Sequence, residues 1–137
     1  MLKPYAVKHH QQWYRVLTHG FIHADGTHLF FNLFVLWQFG SSVETYLDIS
    51  NAEPAIPMPG HYTFLMLYFG GLFTASLPAM YKHMNNPGYA SLGASGAVSA
   101  VMMAYILYFP TAKLLLFFIV PMPAFVAGIL FFFYESY

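Results

Sequence analysis

One serine of this chain lies between glycines, in a setting that could make it a nucleophile. The tetrapeptide Gly93-Ala94-Ser95-Gly96 opens a long apolar run, so Ser95 falls in the first turn of a predicted helix. A helix N-terminus presents free N–H groups and a partial positive charge, and both stabilise a developing oxyanion. Glycines on either side let a substrate carbonyl approach the hydroxyl closely. Taken alone, the tetrapeptide is more simply interpreted as a small-residue packing patch.

A polar pair, His28 and Asn32, stands in another apolar run. The spacing i, i+4 places both side chains on one face of a helix, and both can donate hydrogen bonds to an oxyanion. A polar clasp between two helices, or a histidine that water satisfies, explains the pair at least as well when it is taken alone. Polar groups are costly in hydrocarbon, however, and two such motifs together indicate a shared hydrolytic site at membrane depth.

Composition indicates a membrane protein. Hydrophobic residues make up 58% of the 137 residues and charged residues only 7%, which is too little charge for an ordinary soluble domain. The five basic residues are scattered and the formal charge is zero, so nucleic-acid binding is not expected. Cysteine is absent, which excludes disulfides and thiolate metal sites, and no H-E-x-x-H or comparable spacing predicts a metal centre.

Four apolar stretches approach the roughly 20 residues that a membrane-spanning helix needs. They cover about residues 27–47, 62–81, 93–109 and 114–134. Residues 1–26 are mixed aromatic and polar and are expected to form an interfacial loop, and residues 48–60 a turn-rich connection. Proline is expected to kink or end the second span at Pro78, and to break or bend the last at Pro121 and Pro123. The expected fold is all-α: one polytopic membrane helix bundle over residues 1–137.

The order of these motifs resembles the rhomboid family of intramembrane serine proteases. Residues 14–25 are similar to the family's loop before its second transmembrane helix. The further matches are His28-x-x-x-Asn32 with HxxxN, Gly40-x-x-x-Glu44 at the end of the same helix, and Gly93-Ala94-Ser95-Gly96 with GxSG. The resemblance runs from about residue 13 to residue 109.

The resemblance implies a role for each matching residue. Ser95 would be the nucleophile, and His28, Asn32 and the Ser95 backbone N–H would form the oxyanion hole. Loop residues His19, His23 and Arg15, and the helix-end Glu44, would be structural. The implied reaction is acyl transfer on transmembrane protein substrates within a lipid bilayer, without metal or organic cofactor. A multi-pass protein of a bacterial cytoplasmic membrane is expected.

The general base departs from the family pattern. The family takes it from a histidine on a sixth helix, whereas none of the seven histidines here follows Ser95. The four spans resemble helices two to five of a six-helix core, so the chain is expected to be a fragment, truncated at both ends and inactive alone. The main alternative is a non-catalytic relative that binds transmembrane clients, but the intact Gly93-Ala94-Ser95-Gly96 favours the enzyme. A transporter or channel subunit would need ionisable residues facing one another along several spans, and the sequence offers few.

Overall fold

A computed structural model describes residues 1–51, 58–116 and 120–135. This part of the chain is mostly helical. Its elements in chain order are α1 (Pro4–His10), α2 (Arg15–Thr18), a 3-10 turn (His19–Phe21), α3 (Gly26–Ser50), α4 (Gly60–His83), α5 (Ser95–Tyr108), β1 (Lys113–Leu116), β2 (Val120–Pro123) and α6 (Ala124–Glu135). The first segment, expected to be a loop, therefore contains two short helices and a 3-10 turn, and these hold it against the longer helices.

Helices α3 and α4 lie where the sequence predicted the first two long helices. The Asp25 side chain caps α3 by accepting a hydrogen bond of 2.8 Å from the His28 backbone N–H. Helix α4 continues five residues beyond Pro78, so this proline does not end it. The connection expected over residues 48–60 is shorter, because α3 extends to Ser50, and residues 52–57 lie outside the described part.

Small residues bring α4 and α5 into close contact. A Cβ added to Gly71 of α4 would lie 2.5 Å from the Cβ of Ala100 on α5. Gly96 of α5 is packed against Ala75 of α4 in the same way. This tight crossing of small residues fixes the height of Ser95 relative to α4.

The core lies between α3, α5 and α6. Its buried apolar side chains are Val35, Phe39, Val43 and Leu47 from α3, Ala94 from the turn before α5, Val98, Val101, Met102 and Ala104 from α5, and Ala124, Ala127 and Phe131 from α6. Large apolar side chains also cover the outer faces, among them Trp37, Phe73 and Leu107. Within the described residues, one helix, α4, is both long and apolar enough to cross a membrane by length and composition.

The helix predicted from Leu114 to Tyr134 is wrong in its first half. Residues 113–123 contain the antiparallel pair β1 and β2, in which Lys113 faces Pro123 and Leu116 faces Val120. Helix α6 begins only at Ala124. Proline has no backbone N–H and its ring clashes with the preceding helical turn, so Pro121 and Pro123 prevent a helix here, while a two-stranded ribbon accommodates them on its free edge.

Candidate active site

The turn before α5 presents Ser95 at the start of that helix. Ser95 is its first residue and is half-buried. Gly93 adopts φ +107°, a left-handed conformation that strains any residue with a side chain. The turn at this glycine leads directly into α5, whose first N–H groups, beginning at Ser95, have no acceptor within the helix. The arrangement suits a nucleophile whose product is an oxyanion.

The His28 ring lies against this turn. A Cβ added to Gly93 would lie 2.9 Å from His28 Cε1 and 3.2 Å from His28 Nε2. The capped first turn of α3 holds the histidine there, since the Asp25 carboxylate accepts the His28 backbone N–H. The structure therefore brings together two motifs that are more than sixty residues apart in the chain.

The two ring nitrogens of His28 have different surroundings. Its Nδ1 accepts a long bond, 3.5 Å, from the Ala24 backbone N–H. Its Nε2 lies beside Gly93 and so faces the turn that carries Ser95.

Asn32 lies one helical turn further along α3 and is only 2% exposed. Its Nδ2 donates to the His28 backbone carbonyl at 3.0 Å. This bond ties the Asn32 side chain to the turn of α3 that carries His28.

Two cavities include residues of the turn in their lining. The larger, about 520 Å³, is lined in part by Asn32 and Ala94. The smaller, about 200 Å³, is lined in part by Ser95, His19 and Ser76. The structure thus places the His28 ring against the turn, while Asn32 and Ser95 line different cavities.

His19 has a closer relation to the turn than the sequence indicated. Its backbone carbonyl accepts the Gly93 N–H at 3.1 Å, and its side chain, 7% exposed, lines the Ser95 cavity. Burial lowers the pKa of His19, the nearby chain amino group lowers it further, and backbone groups of Gly93 and Val16 oppose both effects. No spacing rule links a loop histidine to a glycine 74 positions later, so sequence reasoning could not have found this contact.

The other residues singled out in the sequence have simpler surroundings. The His23 ring makes an edge contact with the His28 ring, with centroids 5.2 Å apart. Arg15 Nη1 donates to the Met1 carbonyl at 3.1 Å and so anchors the first segment. The Glu44 side chain is exposed at the other end of α3. Among the described residues, no group of three histidines or carboxylates could hold a metal ion.

Comparison with known proteins gives a consistent family. The Rhomboid domain model matches residues 10–136. Rhomboid protein 1, mitochondrial, of Saccharomyces cerevisiae is 35% identical over 111 residues, which are 79% of this chain and 28% of that protein. Presenilin-associated rhomboid-like protein A, mitochondrial, of Danio rerio is 33% identical over 95 residues, 69% of this chain and 22% of that protein.

A plant protein adds a third match. RHOMBOID-like protein 12, mitochondrial, of Arabidopsis thaliana is 30% identical over 122 residues, 83% of this chain and 35% of that protein. The chain thus spans 22 to 35% of the length of these relatives. No solved structure gave a significant match. All three relatives carry mitochondrial names, so the expectation of a bacterial cytoplasmic membrane finds no support in them.

Proposed function

Because the chain belongs to the rhomboid family, a membrane-embedded family generally made of intramembrane serine proteases, we propose that it carries the nucleophile and oxyanion-binding groups of such an endopeptidase. Its substrates would be transmembrane proteins. The observation that carries the proposal is the packing of the His28 ring on Gly93, two residues before Ser95. A packing patch of small residues would not require an imidazole at that position.

The chemistry follows from the placement of the groups. Ser95 Oγ attacks the carbonyl carbon of a substrate peptide bond, and the carbonyl oxygen becomes an oxyanion. In this proposal the His28 ring, the Asn32 amide and the Ser95 backbone N–H stabilise that charge, helped by the positive end of the α5 dipole. Each such donor typically contributes about 10² to 10³ to the rate.

A serine hydroxyl also needs a base to accept its proton. All seven histidines of the chain precede Ser95, and none lies at the position the family uses. We propose that the base is a histidine of a further helix outside these 137 residues, and that the chain alone is inactive. Collapse of the oxyanion breaks the substrate C–N bond, and the amine leaves with the proton that the base took from Ser95. Water then hydrolyses the acyl ester on Ser95 Oγ, and the 200 Å³ cavity beside Ser95 is large enough to hold that water and is lined by Ser76.

Helix α4 is long and apolar enough to cross a membrane. We propose that α3, α5 and α6 cross the bilayer beside it, as four spans of a rhomboid domain. Helix α3 has 25 residues, roughly 37 Å at 1.5 Å per residue, which exceeds the hydrocarbon thickness of about 30 Å. Its outward residues Phe30, Leu33 and Trp37 are exposed, as lipid-facing side chains would be.

Proteolysis by the full-length protein, reconstituted in liposomes with a transmembrane substrate, tests the proposal. Ser95→Ala should abolish both cleavage and labelling by a serine-directed fluorophosphonate. His28→Ala or Asn32→Ala should lower kcat by about 10² to 10³. Ser99→Ala, one turn further along α5, is the matched control and should cleave normally. Undiminished cleavage by Ser95→Ala would refute the assignment, and client binding without any cleavage would point to the non-catalytic alternative.

A further inference from the structure

The start of the chain pairs with the loop that leads to Ser95. We call residues 1–10 the strap. The Leu2 backbone N–H donates to the Ser91 carbonyl at 2.8 Å, and the Ser91 N–H donates back to the Leu2 carbonyl at 3.0 Å. This reciprocal pair is an isolated antiparallel bridge between segments 89 residues apart in the chain. It lies four residues before the proposed nucleophile.

The strap is itself firmly held. Leu2 is 1% exposed and Val7 fully buried, which fixes α1 against the bundle. The Arg15 guanidinium donates to the Met1 carbonyl at 3.1 Å, one residue from the bridge. On the exposed side, Lys8 Nζ donates to Asn85 Oδ1 at 2.9 Å, which joins α1 to the same loop. The strap is therefore a fixed reference against which the loop is positioned.

A second main-chain hydrogen bond fixes the orientation of the loop that leads to Ser95. The Gly93 N–H donates to the His19 carbonyl at 3.1 Å, two residues after the Ser91 bond. Two main-chain attachments at alternate residues fix both the position and the rotation of the chain that enters α5. The side chains of Leu2 and His19 also line the cavity that contains Ser95.

From this geometry we propose that Leu2 is a positioning residue for Ser95, acting through its backbone pair with Ser91. The inference rests on the proposed function, because positioning matters here through the chemistry of Ser95. A displacement of about 1 Å at a reacting atom can lower a rate by about 10²-fold. Leu2 and Ser91 lie outside the core cluster between α3, α5 and α6, so we expect the bundle to stay folded without the bridge. Ala94 of the turn belongs to that cluster, so we expect a small shift of the turn rather than its release.

Leu2→Pro in the full-length protein removes the backbone N–H that donates a hydrogen bond to the Ser91 carbonyl. We expect kcat to fall at least tenfold with KM unchanged, and amide hydrogen exchange to rise in residues 89–96 but not in α3 or α4. Leu2→Ile keeps the N–H and a buried side chain and should restore kcat to within about twofold of wild type. Lys8→Ala, which removes only an exposed bond to the same loop, is the matched control and should behave likewise.

A double variant, Leu2→Cys with Ser91→Cys, tests the geometry without relying on activity. Reciprocally bonded residues of an antiparallel pair have Cα atoms about 5.5 Å apart, within the range that a disulfide spans. The chain has no other cysteine to compete. We expect the disulfide to form on oxidation and to lower exchange in residues 89–96 below the wild-type level.

The outcomes separate the two proposals. Wild-type kcat and wild-type exchange in Leu2→Pro, or failure of the cysteine pair to form a disulfide, would overturn the role of the strap. Absence of Ser95-dependent cleavage in the wild-type protein would refute the proposed function instead. Amide hydrogen exchange in residues 89–96 would then still test whether the strap holds the loop. Should Leu2→Pro unfold the bundle, the oxidised cysteine pair decides the question alone.

Discussion

Replacing Gly93 by alanine tests whether the contact between the two motifs is needed for catalysis. At φ +107° an alanine is strained by roughly 1 to 2 kcal/mol. Its Cβ would lie 2.9 Å from His28 Cε1, whereas carbon atoms prefer about 3.5 to 4.0 Å, so the ring or the turn must move by roughly 0.6 to 1.1 Å. Displacement of that size at a reacting centre lowers a rate by about 10²-fold. We expect Gly93→Ala to fold and to lose about that much kcat.

The assay is cleavage by the full-length protein, together with the rate at which a fluorophosphonate labels Ser95. Gly88→Ala is the matched control, because Gly88 lies in the same loop, lacks a positive φ, and has 3.4 Å between an added Cβ and its nearest neighbour, Asn86 Oδ1. A double variant that combines Gly93→Ala with His28→Ala separates the clash with the His28 ring from the backbone strain. If the reasoning is right, Gly93→Ala costs much less when His28 is absent, since only the backbone strain remains. Wild-type kcat in Gly93→Ala would refute it.

Two further predictions concern stability. Gly71→Ala should lower the Tm in detergent micelles, because the new methyl group would lie 2.5 Å from Ala100 Cβ and overpacking typically costs about 1 to 3 kcal/mol. The control is Gly70→Ala, where an added Cβ has nothing within 4 Å, and it should leave the Tm unchanged or raise it. Equal Tm changes in the two variants would contradict the packing of α4 on α5. His19, whose pKa is lowered in the folded protein mainly by burial, binds fewer protons folded than unfolded. Stability should therefore be complete above the ordinary pKa of 6.5 and decrease as pH falls below it, and His19→Phe should flatten this dependence in thermal unfolding between pH 7.5 and pH 5.

The long helices could be predicted because their signals are local. Length and apolar content located α3, α4 and α5. Apolar content gave a wrong prediction at residues 113–123, because the run after Lys113 is as apolar as a membrane-spanning helix would be. A continuous apolar run does not distinguish strand from helix, and only Pro121 and Pro123 indicated that the helix must start later.

The candidate site, too, could be predicted only in part. Residue types and spacing pointed to Ser95, His28 and Asn32, since those depend on helix periodicity and on motif order. The contacts that hold them could not be predicted, because main-chain pairs such as Leu2 with Ser91 leave no mark on side-chain identity. Any residue but proline can make them.

The neighbours of Ser95 indicate where variants should affect chemistry and where they should affect stability alone. Leu2, His19 and His28 all come from the first 28 residues, and each reaches the turn by a contact that spans more than sixty positions of the chain. Helix α6, in contrast, meets α5 further along, where Ile106 and Met102 lie against Gly128. The helix containing Ser95 is thus supported by α4 and α6 but takes its orientation toward a substrate from the first segment. The contacts of Leu2, His19 and His28 consequently belong to the proposed site, although the rest of that segment is not required for the chemistry.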